Sequence, residues 1–335
     1  MFFFFDKLLF FYIILVGGSM SEYYNKAKEL VLSKYSEDHP YFNMLVVALT
    51  TLFYKYRDYD FLVEKVFNDV DIYIIYDSVR NILKEKNIDI VSFLEEEDNI
   101  DEGVNSTYGV SSLGYSFKIE DDNLIKCREK PFIICSSKCK STTLLNTFIH
   151  EFNHLVKSSI NNISSTDLEY SLRSGISFYR CKYDSKKDIL YEYEYYDVLD
   201  EVINVIETTE MLNNLELLEV DDSNINNYLN QLDKDELNKD FGYDLCVKII
   251  RPLWDNPTFK SLIEDNILEG NIDRIITYFD EVIGEDSFDK LCDYLEDIDL
   301  CEGKVKNRKK VNRIKTRIRK MIDEYNNKTS YTYHK

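Results

Sequence analysis

Two of the chain's four histidines lie four residues apart, in His150-Glu151-Phe152-Asn153-His154. On a helix that spacing sets both imidazoles on one face, about 40° apart, where they can share a divalent ion. The glutamate between them is placed to take a proton from water held at such a site. This HExxH arrangement is the pattern of a Zn2+ site with a general base. The helix wheel agrees. Thr143, Asn146, Thr147 and Lys157 fall within about 60° of His150, while Leu144, Leu145, Phe148, Phe152, Leu155 and Val156 centre on the opposite side. The histidines therefore project from the polar face of a helix whose apolar face anchors it.

Two imidazoles leave a zinc site one protein ligand short. The extended form HExxHxxGxxH is absent, because Lys157 and Ile160 stand where its glycine and third histidine belong. The only later histidine is His334, at the chain end. The third ligand is then a carboxylate or, second, a cysteine. In the helix expected over Asp197–Leu217, Glu201 borders the stripe of Val198, Val202 and Val205, whereas Asp200 and Glu207 point toward water on the wheel. A carboxylate at a core edge needs a partner, since burying it unpaired is costly. Glu201 is preferred on that ground, with Glu194 and Glu207 next.

These residues resemble the gluzincin family of zinc metallopeptidases. The motif at His150–His154 is followed by Leu199-Asp200-Glu201-Val202-Ile203-Asn204, with Glu201 47 residues after His154. The order of sheet, motif helix and helical second half is similar to thermolysin-like and minimal gluzincin architecture, as in many proteins of low-GC bacteria. The resemblance is specific over roughly residues 105–215. It implies a zincin-like fold, His150, His154 and Glu201 as ligands of one Zn2+, Glu151 as the base, and a peptide or protein as substrate. Two departures stand out. The separation between the second histidine and the glutamate is longer than in thermolysin. No histidine lies between 154 and 334 to stabilise the developing oxyanion. Arg173 and the tyrosines 191, 193, 195 and 196 are the substitutes, and Arg173 and Tyr195 are singled out. The alternative from another class is a zinc-binding or interaction protein that keeps this fold without turnover. A deformylase-type hydrolase would need a cysteine ligand, and neither Cys139 nor Cys181 has suitable surroundings.

Other chemistries lose support. Ten glycines in 335 residues make no GxGxxG, GxxxxGK[ST] or GxSxG, so no phosphate cradle or nucleophile elbow is expected. Seven scattered cysteines form no CxxC and fit a reducing compartment better than a disulfide framework. Cys135 and Cys139 have ligand spacing but no second pair.

The elements that must carry the motif read as α+β. Residues 20–104 read as a helical region, with a buried helix over Tyr41–Tyr56 led by His39-Pro40, His39 being a cap or surface residue. Residues 105–217 read as the zincin-like core: a small antiparallel sheet from Tyr108 to Cys135, a helix N-capped at Ser141-Thr142, a hairpin or bulged strand around Gly175, and the Tyr-rich approach to Asp197. A peptide substrate is expected to add along Phe132–Cys135. Residues 218–335 read as a helical lobe, broken at Pro252 and Pro257. No nucleotide cofactor is indicated.

Charge is segregated. The net charge is −20, but the ten Lys/Arg between Lys304 and Lys320 contain no acid among them, so the remainder carries −30. The overall sign repels phosphate, and no nucleic-acid partner is expected. Residues 304–322 read as a basic amphipathic helix, expected to pack on the chain's own acidic body, with nucleic acid or an anionic membrane as the alternatives. Residues 1–19 are leader-like: a mis-called start ahead of Met20, which gives a cytoplasmic protein, or a signal segment, which gives a secreted or membrane-associated one. Membrane contact is expected only if residues 1–18 are retained.

Overall fold

A computed structural model describes residues 19–77, 81, 109–112, 115–120, 123–128, 130–158, 164–166, 169–187, 189–301 and 307–330. For 115–120, 123–128, 164–166 and 169–174 it describes the backbone course. The leader-like segment 1–18, residues 304–306 and His334 lie outside these. Among the described residues, no helix is long and apolar enough to cross a membrane.

The chain is α+β and mostly helical. In order, the elements are α1 (Met20–Leu32), α2 (Phe42–Lys55), α3 (Asp60–Asp69), β1 (Asp71–Ile75), β2 (Gly109–Ser112), β3 (Tyr115–Glu120), β4 (Asn123–Arg128), β5 (Phe132–Ser136) and α4 (Ser141–Lys157). Then come β6 (Ser164–Thr166), β7 (Glu169–Ser174), β8 (Ser177–Asp184), β9 (Ile189–Tyr195), α5 (Asp197–Asn213) and α6 (Ser223–Gln231). The C-terminal stretch holds α7 (Asp244–Trp254), α8 (Pro257–Ile267), α9 (Ile272–Ile283), α10 (Ser287–Asp299) and α11 (Arg308–Ser330).

Contacts divide the described residues into two units. The first takes those of Met1–Leu113, Lys130–Asn153 and Thr208–Lys239, and the second those of Gly114–Glu129, His154–Glu207 and Asp240–Lys335.

In the first unit, α2 is apolar nearly all round, and Leu45, Val46, Val47, Ala48 and Leu49 are fully buried. Its sheet has the order β1-β5-β2. β5 is the middle strand, parallel to β1 and antiparallel to β2. All five of its residues are buried, which explains the unbroken apolar run Phe132-Ile133-Ile134-Cys135. Two sequence expectations fail here. The region expected to be helical contains β1, and the sheet is mixed. Because β5 is flanked on both sides, it has no edge to offer a peptide.

In the second unit, β3 and β4 form a hairpin and β6-β7-β8-β9 a meander. Gly175, at φ +62, makes the β7–β8 turn, where the sequence places a hairpin. The Tyr-rich approach to α5 is itself the strand β9. Trp254, Phe259, Phe279, Phe288 and Tyr325 make the buried centre of the helical bundle α7–α11. Pro252 sits inside α7, and Pro257 opens α8 at its first turn. The break therefore falls at Asp255-Asn256, with Asn256 capping α8. Gly270 and Gly284 end helices, at φ +76 and +138.

Candidate metal centre

The motif helix α4 is held by Leu145, Phe148, Ile149, Phe152 and Val156, all fully buried. Its polar face is less open than the wheel suggests, since Asn146, Asn153 and Lys157 are buried as well. Asn153 accepts a hydrogen bond from Tyr56. The start of the helix also differs from expectation: Thr142 does not cap it, and its hydroxyl instead accepts the amide of Asp233 at 2.8 Å.

Strand β2 runs past this helix at the level of Glu151. A side chain at Gly109 would overlap the Thr147 methyl and meet the Glu151 side chain, so only glycine lets the strand come this close. Two residues on, the Ser111 hydroxyl donates to Glu151 Oε2 at 2.8 Å. The expected base therefore has one carboxylate oxygen fixed from β2.

One ligand atom from each of His150, His154 and Glu201 lies within 4.8 Å of the others. Among the described residues, this is the group of three or more His, Cys, Asp and Glu side chains close enough to hold an ion. His154 Nε2 is 3.1 Å from Glu201 Oε1, and its Nδ1 is 3.3 Å from Asp200 Oδ2. Consecutive residues of α5 thus address the two nitrogens of one imidazole. Burial disfavours the charge on His154, and the Glu201 and Asp200 carboxylates outweigh it, holding its pKa well above the usual histidine range.

Asp200 is buried, contrary to its outward place on the wheel. Its Oδ1 accepts the Ile176 amide at 2.8 Å, in the space that Gly175 leaves open. Lys157 Nζ is fully buried, 3.8 Å from Asp200 Oδ1 and 3.4 Å from Glu207 Oε2. Burial pushes the Asp200 carboxyl up, but Lys157, His154 and the Ile176 amide more than reverse this, leaving it lowered. Glu207 is also buried instead of facing water. The reason is common to both. α5 is enclosed nearly all round, with Leu199, Val202, Ile203 and Ile206 fully buried, so its acids need internal partners.

Negative charge accumulates here. Burial, with Glu194, Glu201 and Asp200 nearby, pushes the Asp197 carboxyl up to about 8. Tyr243 lies within electrostatic reach of Glu201 and Asp197, and burial first, then these carboxylates, raise its hydroxyl. Two imidazoles and a carboxylate converging in a surplus of acidic groups are a donor set that could hold a divalent metal ion.

Arg173 lies on β7 opposite Phe178; its side chain is outside the described residues. Tyr195 is 39% exposed on β9, and its described ring contacts are with Phe178, Tyr193 and Tyr196. Cys135 is fully buried, and the half-buried Cys139 donates to Ser136 O at 3.1 Å. His39 accepts the Tyr41 amide at Nδ1 and packs on Tyr35; it does not cap α2, whose start has no side-chain cap. Sequence reasoning missed Ser111, Gly109, Lys157 and Tyr243, and it placed Asp200 on the wrong side of its helix. The neighbouring position to Glu201 was the one available signal for Asp200.

No family model, curated protein or solved structure matches this chain.

Proposed function

We propose that this chain is a zinc-dependent metallopeptidase with a zincin-like fold of gluzincin type. The observation that carries the proposal is the meeting of His150, His154 and Glu201 within 4.8 Å, with Glu151 on the same helix turn. His150, His154 and Glu201 would hold one Zn2+, which when bound supplies Lewis acidity toward water and a peptide carbonyl. Asp200 fixes the His154 ring by engaging Nδ1, which turns Nε2 toward Glu201. Ser111 fixes Glu151 Oε2, which leaves the other carboxylate oxygen to take a proton from the attacking water and return it to the leaving amine. Strand β2, whose Gly109 and Ser111 approach Glu151, is the element along which an extended peptide would pair; among the described residues it is paired with β5 alone. Tyr243, near Glu201, joins Arg173 and Tyr195 as an oxyanion donor candidate.

A second reading has one specific support. With no histidine between 154 and 334, the chain can hold zinc for stability without turnover. Metal analysis and peptide-library digestion of the wild type and Glu151→Gln separate the two. The peptidase reading predicts one zinc per chain in both, with cleavage in the wild type only. Zinc in the wild type without cleavage of any library peptide favours the second reading. No zinc in either rejects both.

A further inference from the structure

Outside the metal centre, the most concentrated single-sign charge in the described residues is on α11. Between Arg308 and Lys320 it carries eight basic residues and no acidic one. Ile314, Ile318, Ile322 and Tyr325 turn inward and are buried, and α11 packs on α7, α9 and α10. The cations spread over the opposite side. Lys309, Arg313, Arg319 and Lys320 are exposed. Among the described residues, no carboxylate lies within ion-pair distance of these four. Lys310 does reach back, to Asp297 at 2.6 Å, and Arg317 lies over the Tyr294 ring at 5.6 Å. A chain carrying −30 elsewhere therefore leaves the outer side of this helix largely unneutralised.

The chemistry of that face selects its partner. A bilayer-inserting helix needs a free apolar side, and this one spends its apolar side inside the bundle. A protein partner would seek aromatic or aliphatic anchors, but the exposed residues between the cations are Asn312 and Thr316. Arginine forks match phosphate oxygens bidentately, and Asn and Thr add neutral donors of the kind that contact nucleic-acid backbones. The basic stretch is about 18 Å long at 1.5 Å per residue, enough to follow several phosphates. We propose that the outer face of α11 binds the phosphate backbone of nucleic acid without reading its sequence. The acidic remainder of the chain repels phosphate and confines contact to this face, so the number of phosphates engaged is small.

The test uses the full chain, a fluorescein-labelled random duplex DNA of about 20 base pairs, and anisotropy titrations between about 50 and 200 mM KCl. The wild type binds, with a log K versus log salt slope of about −4, as four to five phosphate contacts give. The combined variant Arg313→Gln, Arg317→Gln, Arg319→Gln, Lys320→Gln binds at least about 100-fold more weakly at the lowest salt. Its slope shrinks by about one per lost contact, while zinc content and circular dichroism stay unchanged. Absence of duplex binding by the wild type, or a variant that binds equally well, overturns the proposal. Binding to phosphatidylserine vesicles but not to duplex also overturns it, in favour of a membrane surface. Should the combined variant misfold, the wild-type salt slope still decides, since a slope near zero contradicts phosphate contact.

Discussion

At the scale of single residues, the candidate metal centre depends on side chains outside its three ligands. Asp200 engages His154 Nδ1 and is itself held by the Ile176 amide and the buried Lys157. Replacing it with Asn keeps the shape and removes the charge. Zinc affinity should fall about 10–100-fold, the usual cost of losing an outer-shell partner, as read by competition with a chelator. Unchanged affinity would remove Asp200 from the site. Gly109 is the second case. Gly109→Ala should lower stability by about 1–3 kcal/mol and impair hydrolysis, because the new methyl overlaps Thr147. Adding Thr147→Ser, which deletes the opposing methyl, should restore much of both in a urea melt and a peptide assay. The convergence of His150, His154 and Glu201 was legible, since two histidines at helical spacing project together and Glu201 lies at a core edge. Asp200 was not, because a wheel assigns facing from one apolar stripe and α5 has apolar residues on every side.

At the scale of elements, Lys157 ties the C-terminal turn of α4 to α5 through Asp200 and Glu207. Lys157→Met leaves two buried carboxylates without their cation and should cost about 3–5 kcal/mol in chemical denaturation. Pairing it with Glu207→Gln should recover part of that loss, and a neutral Lys157→Met would show that the ammonium does not matter. Asp222 ties α1 to α6. It caps α6 at the Asn224 and Ile225 amides and accepts from Tyr24 at 2.7 Å and Lys28 at 2.9 Å. The hydrogen bonds from Tyr24 and Lys28 depress its carboxyl to about 2. A depressed carboxyl stabilises the fold above its unfolded pKa, near 4, and the contribution fades as pH falls from about 4 toward 2. Asp222→Ala should therefore cost about 1–2 kcal/mol at neutral pH and progressively less below pH 4. Equal cost at pH 7 and pH 2 would contradict the charge-dependent part.

The helices, the β7–β8 hairpin and the run of β5 were readable from local pattern. Strand β1 was not. Asp71-Ile72-Tyr73-Ile74-Ile75 follows a helix directly, and its pairing with Phe132–Ser136 is parallel and distant in sequence, information that no local window contains. The same blindness placed a substrate on β5, because nothing in four apolar residues says that both edges are taken.

At the scale of the molecule, composition bounded the class, but its net charge hid an arrangement. The value of −20 is the sum of an acidic body and a basic helix whose apolar stripe is buried and whose cations face out. Zinc should be felt by the whole fold. A site that exists only in the folded chain stabilises it by about 4 kcal/mol at a thousandfold excess of metal over Kd. Chelation should then lower Tm by several degrees in the wild type and in Glu151→Gln, with little effect on Glu201→Ala. The central claim is that His150, His154 and Glu201 together hold zinc, and X-ray absorption at the zinc edge of the purified chain addresses it most directly. The account predicts a first shell of nitrogen and oxygen at about 2.0–2.2 Å with two imidazoles, reduced by one oxygen donor in Glu201→Ala. A sulfur shell at about 2.3 Å, or a spectrum unchanged in Glu201→Ala, would contradict it.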